Sequence, residues 1–330
     1  LYLGTPDFAI PPLEQLVQAG HELVAVIAPP GRRAGRGRKA VDPPLALAAR
    51  SLGLPLLQPE SVSAPELLAR LAPLAIDVAV TAAYGQYLTP AFLALPRHGV
   101  INIHPSLLPR WRGASPVTSA LLAGDGVTGV TILRSTQKMD AGPLLAQLQV
   151  EIDEAESAGE LTARLFRPGG ELLLEVLSRL QAGPLPGTPQ DESRATLCTK
   201  VNRELAEICW DLPATVIARQ VRAFNPSPVA WTTLGERQLR IWRARVAGVE
   251  PAGPPEATAE PRPTPGLLLG PPRAPSPRVV CGEGLLLLAE VQLEGSRRLP
   301  VAEAWHGLRL AEAAVLLGRE AGKTGPAADR

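Results

Sequence analysis

The segment Asn102–Gly113 reads NIHPSLLPRWRG and begins inside an apolar strand pattern, Gly99–Ile103. Side chains two residues apart in a strand share a face, so Asn102 and His104 point the same way at the carboxyl end of the strand. In open α/β sheets, ligands bind outside the carboxyl ends of the strands. An amide donor and a group that titrates near neutrality can together polarise a carbonyl and move a proton. The segment therefore predicts a catalytic site at the carboxyl end of this strand. The alternative is a structural histidine, which is the commoner role of a lone histidine in a strand.

Strand and helix patterns alternate on both sides of this segment over about the first 150 residues, which is typical of a parallel α/β sheet. Further strand patterns are predicted at Leu1–Gly4, Glu22–Ala28, Leu54–Leu57, Ile76–Thr81, Thr128–Leu133 and Leu144–Ile152. Helices are predicted from Pro11 to Gly20, at Pro43–Leu52 and at Leu67–Leu71. The longest helical pattern, Glu160–Leu180, is interrupted at Pro168-Gly169-Gly170.

A change of pattern near residue 183 predicts a second domain. Gly183–Gln190 (GPLPGTPQ) has no hydrophobic periodicity and is typical of a linker. A helix at Pro213–Ala223 is followed by short strand patterns, which favour a small β-barrel or sandwich. The patterns are Val229–Thr233, Gln238–Val246, Gly266–Leu269, Arg278–Val280, Gly284–Gln292 and Arg297–Val301. We expect a catalytic domain at 1–182, a linker at 183–200 and a C-terminal β-barrel domain at 201–330, with a proline-rich insertion near 250–277.

Composition excludes several classes of protein. The 330 residues carry a formal net charge of +1, so affinity for an anionic partner must come from local clusters of charge. The three cysteines match no metal spacing, which predicts reduced thiols, no metal ion and a cytoplasmic location. No apolar run approaches the roughly 18–20 residues that span a bilayer. No leader pattern precedes the first strand, so we expect neither membrane attachment nor secretion.

A basic loop follows the second strand pattern. Arg32, Arg33, Arg36, Arg38 and Lys39 lie close together, with three glycines among and before them. Charge alone favours a solvated surface loop. The alternative is a flexible contact to RNA, which the glycines would allow to fold around its target.

A second polar loop, Met139-Asp140-Ala141-Gly142, offers a carboxylate. A loop aspartate usually makes hydrogen bonds only to its own turn. Nothing in the spacing brings Asp140 to His104.

These motifs together resemble the folate-dependent formyltransferases. The combination is NIHPSLLPRWRG, the strand Thr128-Gly129-Val130-Thr131 and the MDAG loop. Further matches are Gly4-Thr5-Pro6-Asp7-Phe8-Ala9, the loop AGRGRK at 34–39, Ala83-Tyr84-Gly85, and Arg222-Ala223-Phe224-Asn225-Pro226 with Trp231. The resemblance covers nearly the whole chain and is greatest to members that formylate methionyl-tRNA. It implies a Rossmann-like parallel-sheet formyltransferase domain followed by a small C-terminal β-barrel of OB-like type.

The resemblance also implies roles for individual residues. Asn102, His104 and Asp140 would be catalytic. Ser106, Leu107, Leu108 and Pro109, with Tyr84 and Gly85, would bind the folate, and Arg32, Arg33, Arg36, Arg38 and Lys39 would bind tRNA. The implied reaction moves the formyl group of 10-formyltetrahydrofolate to the free amino group of initiator methionyl-tRNA, without a metal ion. The implied protein is a bacterial, cytoplasmic monomer of translation initiation.

Other acceptors and other classes of protein stay open at this stage. A sugar nucleotide or another small amine is the alternative acceptor, since such transferases share the first domain and some carry a barrel-like second one. Glycinamide ribonucleotide formyltransferases share the NxHPSLLP motif but are much shorter. A non-catalytic RNA-binding module would need neither motif, and formyltetrahydrofolate hydrolases commonly carry a small domain before the trio. The position of the basic loop, between the second strand and the next helix, favours tRNA.

Overall fold

The computed structural model divides into two units, and the first of them is built on a seven-stranded sheet. The structure describes residues 1–34, 39–248, 264–269, 277–307 and 314–319. The first unit comprises Leu1–Val117, Gly126–Ile152 and Leu161–Cys198; the second comprises Thr118–Asp125, Asp153–Glu160 and the described residues from Thr199 on. The predicted linker, 183–200, thus lies within the first unit as far as Cys198. The domain limits drawn from the sequence stay predictions.

The strands of the first unit are short and mostly buried. They are β1 Tyr2–Gly4, β2 Val26–Ile27, β3 Arg32–Ala34, β4 Lys39–Val41, β5 Leu56–Leu57, β6 Ala79–Ala82, β7 Val100–His104, β8 Val127–Arg134 and β9 Leu144–Glu151. The sheet order is β5-β2-β1-β6-β7-β8-β9, while β3 and β4 form a separate hairpin. The first five strands of this order run parallel, as the alternation of strands and helices predicts.

The last two strands of this sheet run antiparallel to their neighbours. Antiparallel strands can be joined by a short loop, whereas parallel strands need a long crossover. The connection between β8 and β9 is such a loop, residues 135–143, and it contains Asp140. The MDAG loop therefore leaves β8 beside Ile101 of β7, the last of the parallel strands.

Helices with proline in their first turn cover the sheet. They are α1 Ile10–Gln18, α2 Pro44–Ser51, α3 Pro65–Leu71 and α4 Pro90–Leu93. Two further helices are α5 Pro116–Ala123, which also begins with proline, and α6 Ala158–Ala182, which does not. Proline suits this position because its missing N–H has no partner there in any helix.

The predicted interruption of α6 is wrong, because the helix continues through Pro168, Gly169 and Gly170. Both glycines are buried, and a Cβ on Gly169 would lie 3.1 Å from side-chain carbons of Ile103 and Val130. The glycines therefore let the helix approach the sheet closely, and this packing outweighs their low helix propensity.

The described part of the second unit beyond Thr199 is an antiparallel barrel that packs with helices. Its strands are β10 Ala230–Leu234, β11 Arg237–Val246, β12 Leu268–Leu269, β13 Arg278–Val280, β14 Leu285–Leu293, β15 Leu299–Pro300 and β16 Leu316–Leu317; its helices are α7 Ala214–Ala223 and α8 Val301–Gly307. The order is β12-β13-β14-β11-β10-β16, and a bridge between Leu267 and Val315 joins the two edges. The barrel prediction is confirmed.

Two details of the second unit differ from the sequence prediction. The strand predicted at Arg297–Val301 is only two residues long, and the missed helix α8 begins at its last predicted residue. Of the proline-rich stretch 250–277, only 264–269 and 277 are described, and the prediction of an extended insertion otherwise lies outside the described residues.

The first turn of α6 carries a reciprocal cap, from which we expect a pH-dependent stability effect. Ser157 N and Oγ donate to Glu160 Oε2 at 2.9 and 2.6 Å, and Glu160 N donates back to Ser157 Oγ at 3.3 Å. These bonds, with the Arg243 ion pair, lower the pKa of Glu160 to about 2. Ser157→Ala should lower the free energy of unfolding by about 0.5–2 kcal/mol at pH 7, measured by chemical denaturation.

The sign of the pH effect follows from the lowered pKa. Stability that depends on ionised Glu160 is present above the ordinary glutamate pKa and is lost as pH falls towards 2. The difference between wild type and Ser157→Ala should therefore shrink between pH 5 and about 2. Ser178→Ala, at an exposed position of the same helix, is the matched control. An equal difference at pH 3 and pH 7 would contradict the cap.

Candidate active site

The three side chains predicted to be catalytic lie together in the first unit. Asn102 and His104 are on β7, and Asp140 is in the 135–143 loop. Asn102 Nδ2 donates to Asp140 Oδ1 at 3.4 Å, and His104 Nδ1 lies 3.7 Å from Asp140 Oδ2. The His104 residue is only 4% exposed. The fold thus supplies the contact that the sequence spacing could not.

Neighbouring groups orient Asn102. Thr81 Oγ1, on the adjacent strand β6, donates to Asn102 Oδ1 at 2.9 Å. The amide nitrogen therefore faces Asp140. Its second hydrogen has no protein acceptor among the described residues, so it can donate to a ligand oxygen.

Hydrogen bonds also define the tautomer of His104. Its Nε2 lies 2.9 Å from the carbonyl oxygen of Trp111. A carbonyl oxygen only accepts, so Nε2 carries a proton and Nδ1 is the atom that faces the Asp140 carboxylate. Asp140 Oδ2 in turn accepts from the Gly113 N–H at 2.8 Å. The pair can share a second proton at Nδ1.

Two non-glycine residues of the site adopt the left-handed conformation. The φ angles are +61° at Trp111 and +49° at Asp140. Such conformations cost of order 1–3 kcal/mol and occur where the surroundings impose them, often at functional sites. The Trp111 carbonyl and the Asp140 carboxylate, which both contact His104, are therefore held against the local preference of the backbone.

The residues predicted to bind folate fall into two groups. Ser106 is fully buried and its hydroxyl donates to the Arg110 carbonyl at 2.7 Å, so it shapes the loop after β7. Thr131 and Gln147 fasten the same loop: Thr131 Oγ1 donates to the Ser106 carbonyl at 2.6 Å, and Gln147 Nε2 donates to the Leu108 carbonyl at 2.8 Å. Leu108 is buried as well, whereas Leu107 and Pro109 are partly exposed.

Tyr84 and Gly85 form the second group, after β6. Tyr84 is buried, and its hydroxyl has no protein hydrogen-bond partner in the part of the chain that the structure describes. Burial raises the pKa of this hydroxyl to about 12, so it is neutral at physiological pH. Gly85 is exposed with φ of +77°, a conformation that favours glycine.

Two ends of the basic segment, Arg32–Ala34 and Lys39–Val41, pair as the β3–β4 hairpin, which the sequence did not predict. Arg32 is exposed, and Arg33 and Lys39 have their backbones in the two strands. Arg36 and Arg38 lie outside the described residues. The hairpin does lie between β2 and α2, as expected.

Sequence reasoning missed a set of polar side chains behind Asp140. Gln190 Nε2 donates to the carbonyls of Asp140 and Gly142 at 2.8 and 2.7 Å. Arg112, which is 4% exposed, binds Gln190 and Glu192. Arg112 and Lys138 lower the pKa of Glu192 to about 2. No sequence signal could identify Gln190, since it lies about fifty residues from Asp140 in a segment typical of a linker.

Among the residues that the structure describes, no group of three or more His, Cys, Asp or Glu side chains is placed to hold a metal ion. No helix in the described part of the chain is both long and apolar enough to cross a membrane.

Comparison with known proteins identifies the class. Residues 1–177 match the family model described as formyl transferase, and residues 200–309 match the formyl transferase C-terminal domain. The chain belongs to the formyl transferase family.

Relatives that cover most of the chain carry a more particular name. Methionyl-tRNA formyltransferase of Chloroflexus aurantiacus is 44% identical over 92% of this chain and 95% of its own length. The enzyme of the same name from Methylococcus capsulatus is 42% identical over 94% of this chain and 97% of its own. Within the family, the chain is therefore similar to the methionyl-tRNA formyltransferases.

Solved structures support the fold. HypX from Aquifex aeolicus in complex with tetrahydrofolic acid aligns with a TM-score of 0.62 at 18% identity, over 92% of this chain and 46% of HypX. WlaRD, a sugar 3N-formyl transferase, aligns with a TM-score of 0.60 at 15% identity, over 90% of this chain and 97% of its own.

Proposed function

We propose that this protein transfers the formyl group of 10-formyltetrahydrofolate to the amino group of initiator methionyl-tRNA. The observation that carries the proposal is the contact of Asn102 and His104, on β7, with Asp140 in the 135–143 loop. Relatives named methionyl-tRNA formyltransferase are 42–44% identical over 92–94% of this chain. An amide donor and an imidazole held beside the same carboxylate suit acyl transfer between nitrogen atoms.

The chemical step follows from the positions of these donors. The neutral amine attacks the formyl carbon, and the carbonyl oxygen becomes an oxyanion. Asn102 Nδ2 donates its second hydrogen to that oxygen. The separation of 3.7 Å between His104 Nδ1 and Asp140 Oδ2 exceeds a hydrogen bond, so protonated Nδ1 stays available to the oxyanion while Nε2 keeps its bond to Trp111.

Proton transfer completes the reaction. The attacking amine loses one proton, the bond between the formyl carbon and N10 breaks, and N10 gains a proton. The His104–Asp140 pair is placed to carry this proton, and the carboxylate stabilises the imidazolium while it exists. The candidate folate contacts are the partly exposed Leu107 and Pro109 after β7 and, after β6, Tyr84, whose hydroxyl has no protein partner among the described residues.

Product analysis tests the proposal directly. The protein is incubated with 10-formyltetrahydrofolate and, in separate reactions, with charged initiator methionyl-tRNA, with water alone and with an amino-sugar nucleotide. We expect formyl-methionyl-tRNA as the main product. Free formate in all three reactions would indicate a hydrolase, and formylated sugar nucleotide would identify the alternative acceptor.

We further propose that the basic hairpin contacts the tRNA through a positioned arginine, Arg36, an assignment that rests on the family resemblance. Arg36→Ala should lower kcat/KM by an amount equivalent to roughly 1–3 kcal/mol, and Arg36→Lys should not restore it, since an ammonium cannot reproduce the planar guanidinium. Initial rates across a salt series measure both effects.

Two other arginines serve as controls for a purely electrostatic contribution. Arg33→Ala removes a charge from the same hairpin, and Arg245→Ala removes one from an exposed position of β11 in the barrel. Each should reduce the salt slope by about one contact and change kcat/KM little at low salt. Identical kinetics for the Arg33 and Arg36 variants would show that the loop contributes only diffuse positive charge and no positioned contact.

A further inference from the structure

The segment that follows α6 hydrogen-bonds to both loops of the candidate site. We call residues 188–198 the brace. Thr188 exchanges two backbone hydrogen bonds of 2.8 Å with Leu144, next to the aspartate loop. Arg112 N donates to the Thr196 carbonyl at 2.9 Å, and Cys198 N donates to the Arg112 carbonyl at 2.8 Å. The brace therefore connects the loop that contains Asp140 to the loop that contains Trp111 and Gly113.

Gln190 is the side chain of the brace that reaches Asp140. Both hydrogens of its amide are used, because Nε2 donates to the carbonyls of Asp140 and Gly142. Its Oε1 accepts from Arg112 Nε at 3.0 Å and from Arg112 Nη2 at 2.8 Å. The opposite orientation would place Oε1 against two carbonyl oxygens and the amide hydrogens against a guanidinium. The neighbours thus define one orientation for this amide.

Arg112 gives Gln190 a fixed anchor. The guanidinium is 4% exposed and binds Glu192 through two parallel bonds, of 3.1 and 2.8 Å, in addition to Gln190. A buried arginine held by several acceptors has little freedom to move. The oxygen end of the Gln190 amide is therefore immobile, and its nitrogen end holds the aspartate loop.

We propose that Gln190 is a positioning residue that keeps Asp140 in the left-handed conformation facing His104. The two carbonyls that it binds flank Ala141, so rotation of the Asp140 backbone towards a relaxed φ would break at least one bond. The same rotation would move the carboxylate away from Gly113 N and His104 Nδ1. The role in catalysis rests on the proposed function; the role in geometry does not.

Two substitutions of Gln190 separate its hydrogen bonds from its volume. Gln190→Met keeps the length of the side chain and removes all four bonds. Gln190→Glu keeps an acceptor for Arg112 but sets a carboxylate against two carbonyls. Both should lower kcat about tenfold to a hundredfold, as a shift of about 1 Å at a reacting group does. The KM values for folate and tRNA should change less than twofold, and Gln181→Met, at an exposed position, should change nothing.

A double substitution tests whether Gln190 acts through Asp140. Adding Gln190→Met to Asp140→Ala should cause no further loss of kcat, because the group being positioned is already absent. An equal further loss in this background would overturn the proposal. Unchanged kcat in both single variants, with unchanged melting temperatures, would also overturn it.

Nitrogen-15 NMR of the histidine side chains gives a readout independent of activity. The chain has four histidines, so the His104 resonances can be assigned from their loss in His104→Ala. Gln190→Met should move them towards their positions in Asp140→Ala. Unmoved resonances would overturn the geometric role. If Asp140→Ala kept full activity, the proposed function of the trio would fail, while the resonances would still report whether Gln190 holds Asp140.

Discussion

Replacing His104 by alanine should lower kcat for formyl transfer at least about a hundredfold, the usual effect of losing a general acid–base group. The substitution removes Nδ1, which both donates to the oxyanion and carries the proton. Asp140→Ala should have a similar effect, since it leaves the imidazolium without its carboxylate. The β7 ladder uses backbone groups only, and Asp140 lies in the loop after β8, so both variants should keep the sheet. Single-turnover kinetics with charged tRNA and circular dichroism measure the two properties.

Two further variants make this test specific. Asp140→Asn keeps an oxygen that can accept from Gly113 N but removes the charge, so it separates placement from electrostatic stabilisation. His98→Ala is the matched control, because only the backbone carbonyl of His98 contacts Arg134. It should retain wild-type kcat. A His104→Ala enzyme with near-wild-type turnover and unchanged folding would remove His104 from the mechanism.

The sequence predicts the parts of this site that follow a strand. Alternation along a strand is a local property, so the common face of Asn102 and His104 can be predicted from two residues. The rule that ligands bind at the carboxyl ends of parallel strands then locates the site in the sheet. The barrel is predictable for the same reason, because its strands alternate and are separated by turn residues.

The remainder of the site depends on contacts between segments distant in the sequence. Asp140 lies 36 residues from His104, in a loop with no periodicity, and only the family resemblance connected them. The brace was missed because it begins inside Gly183–Gln190, a stretch typical of a linker, whereas its backbone pairs with two loops. The continuous α6 was missed for a related reason: close packing of Gly169 on the sheet is a tertiary effect that helix propensity does not contain.

Gly142→Ala should abolish most activity without changing any residue of the trio. Gly142 is buried two residues after Asp140, and a Cβ there would overlap the carbonyl oxygen of Arg134 at the end of β8. A backbone carbonyl in a strand cannot rotate away, so the loop itself must move. We expect kcat to fall about a hundredfold, as for a reacting group displaced by about 1 Å, with a lowered melting temperature.

The control for Gly142→Ala is Gly126→Ala, because a Cβ at Gly126 would meet no atom within 4 Å. That variant should keep both kcat and melting temperature. The physical cause predicts a further result: combining Gly142→Ala with Asp140→Ala should lower kcat no more than Asp140→Ala alone, since both remove the same carboxylate from His104. A Gly142→Ala enzyme with wild-type kcat would show that the aspartate loop tolerates displacement, and that the distance between Asp140 and His104 does not determine the rate.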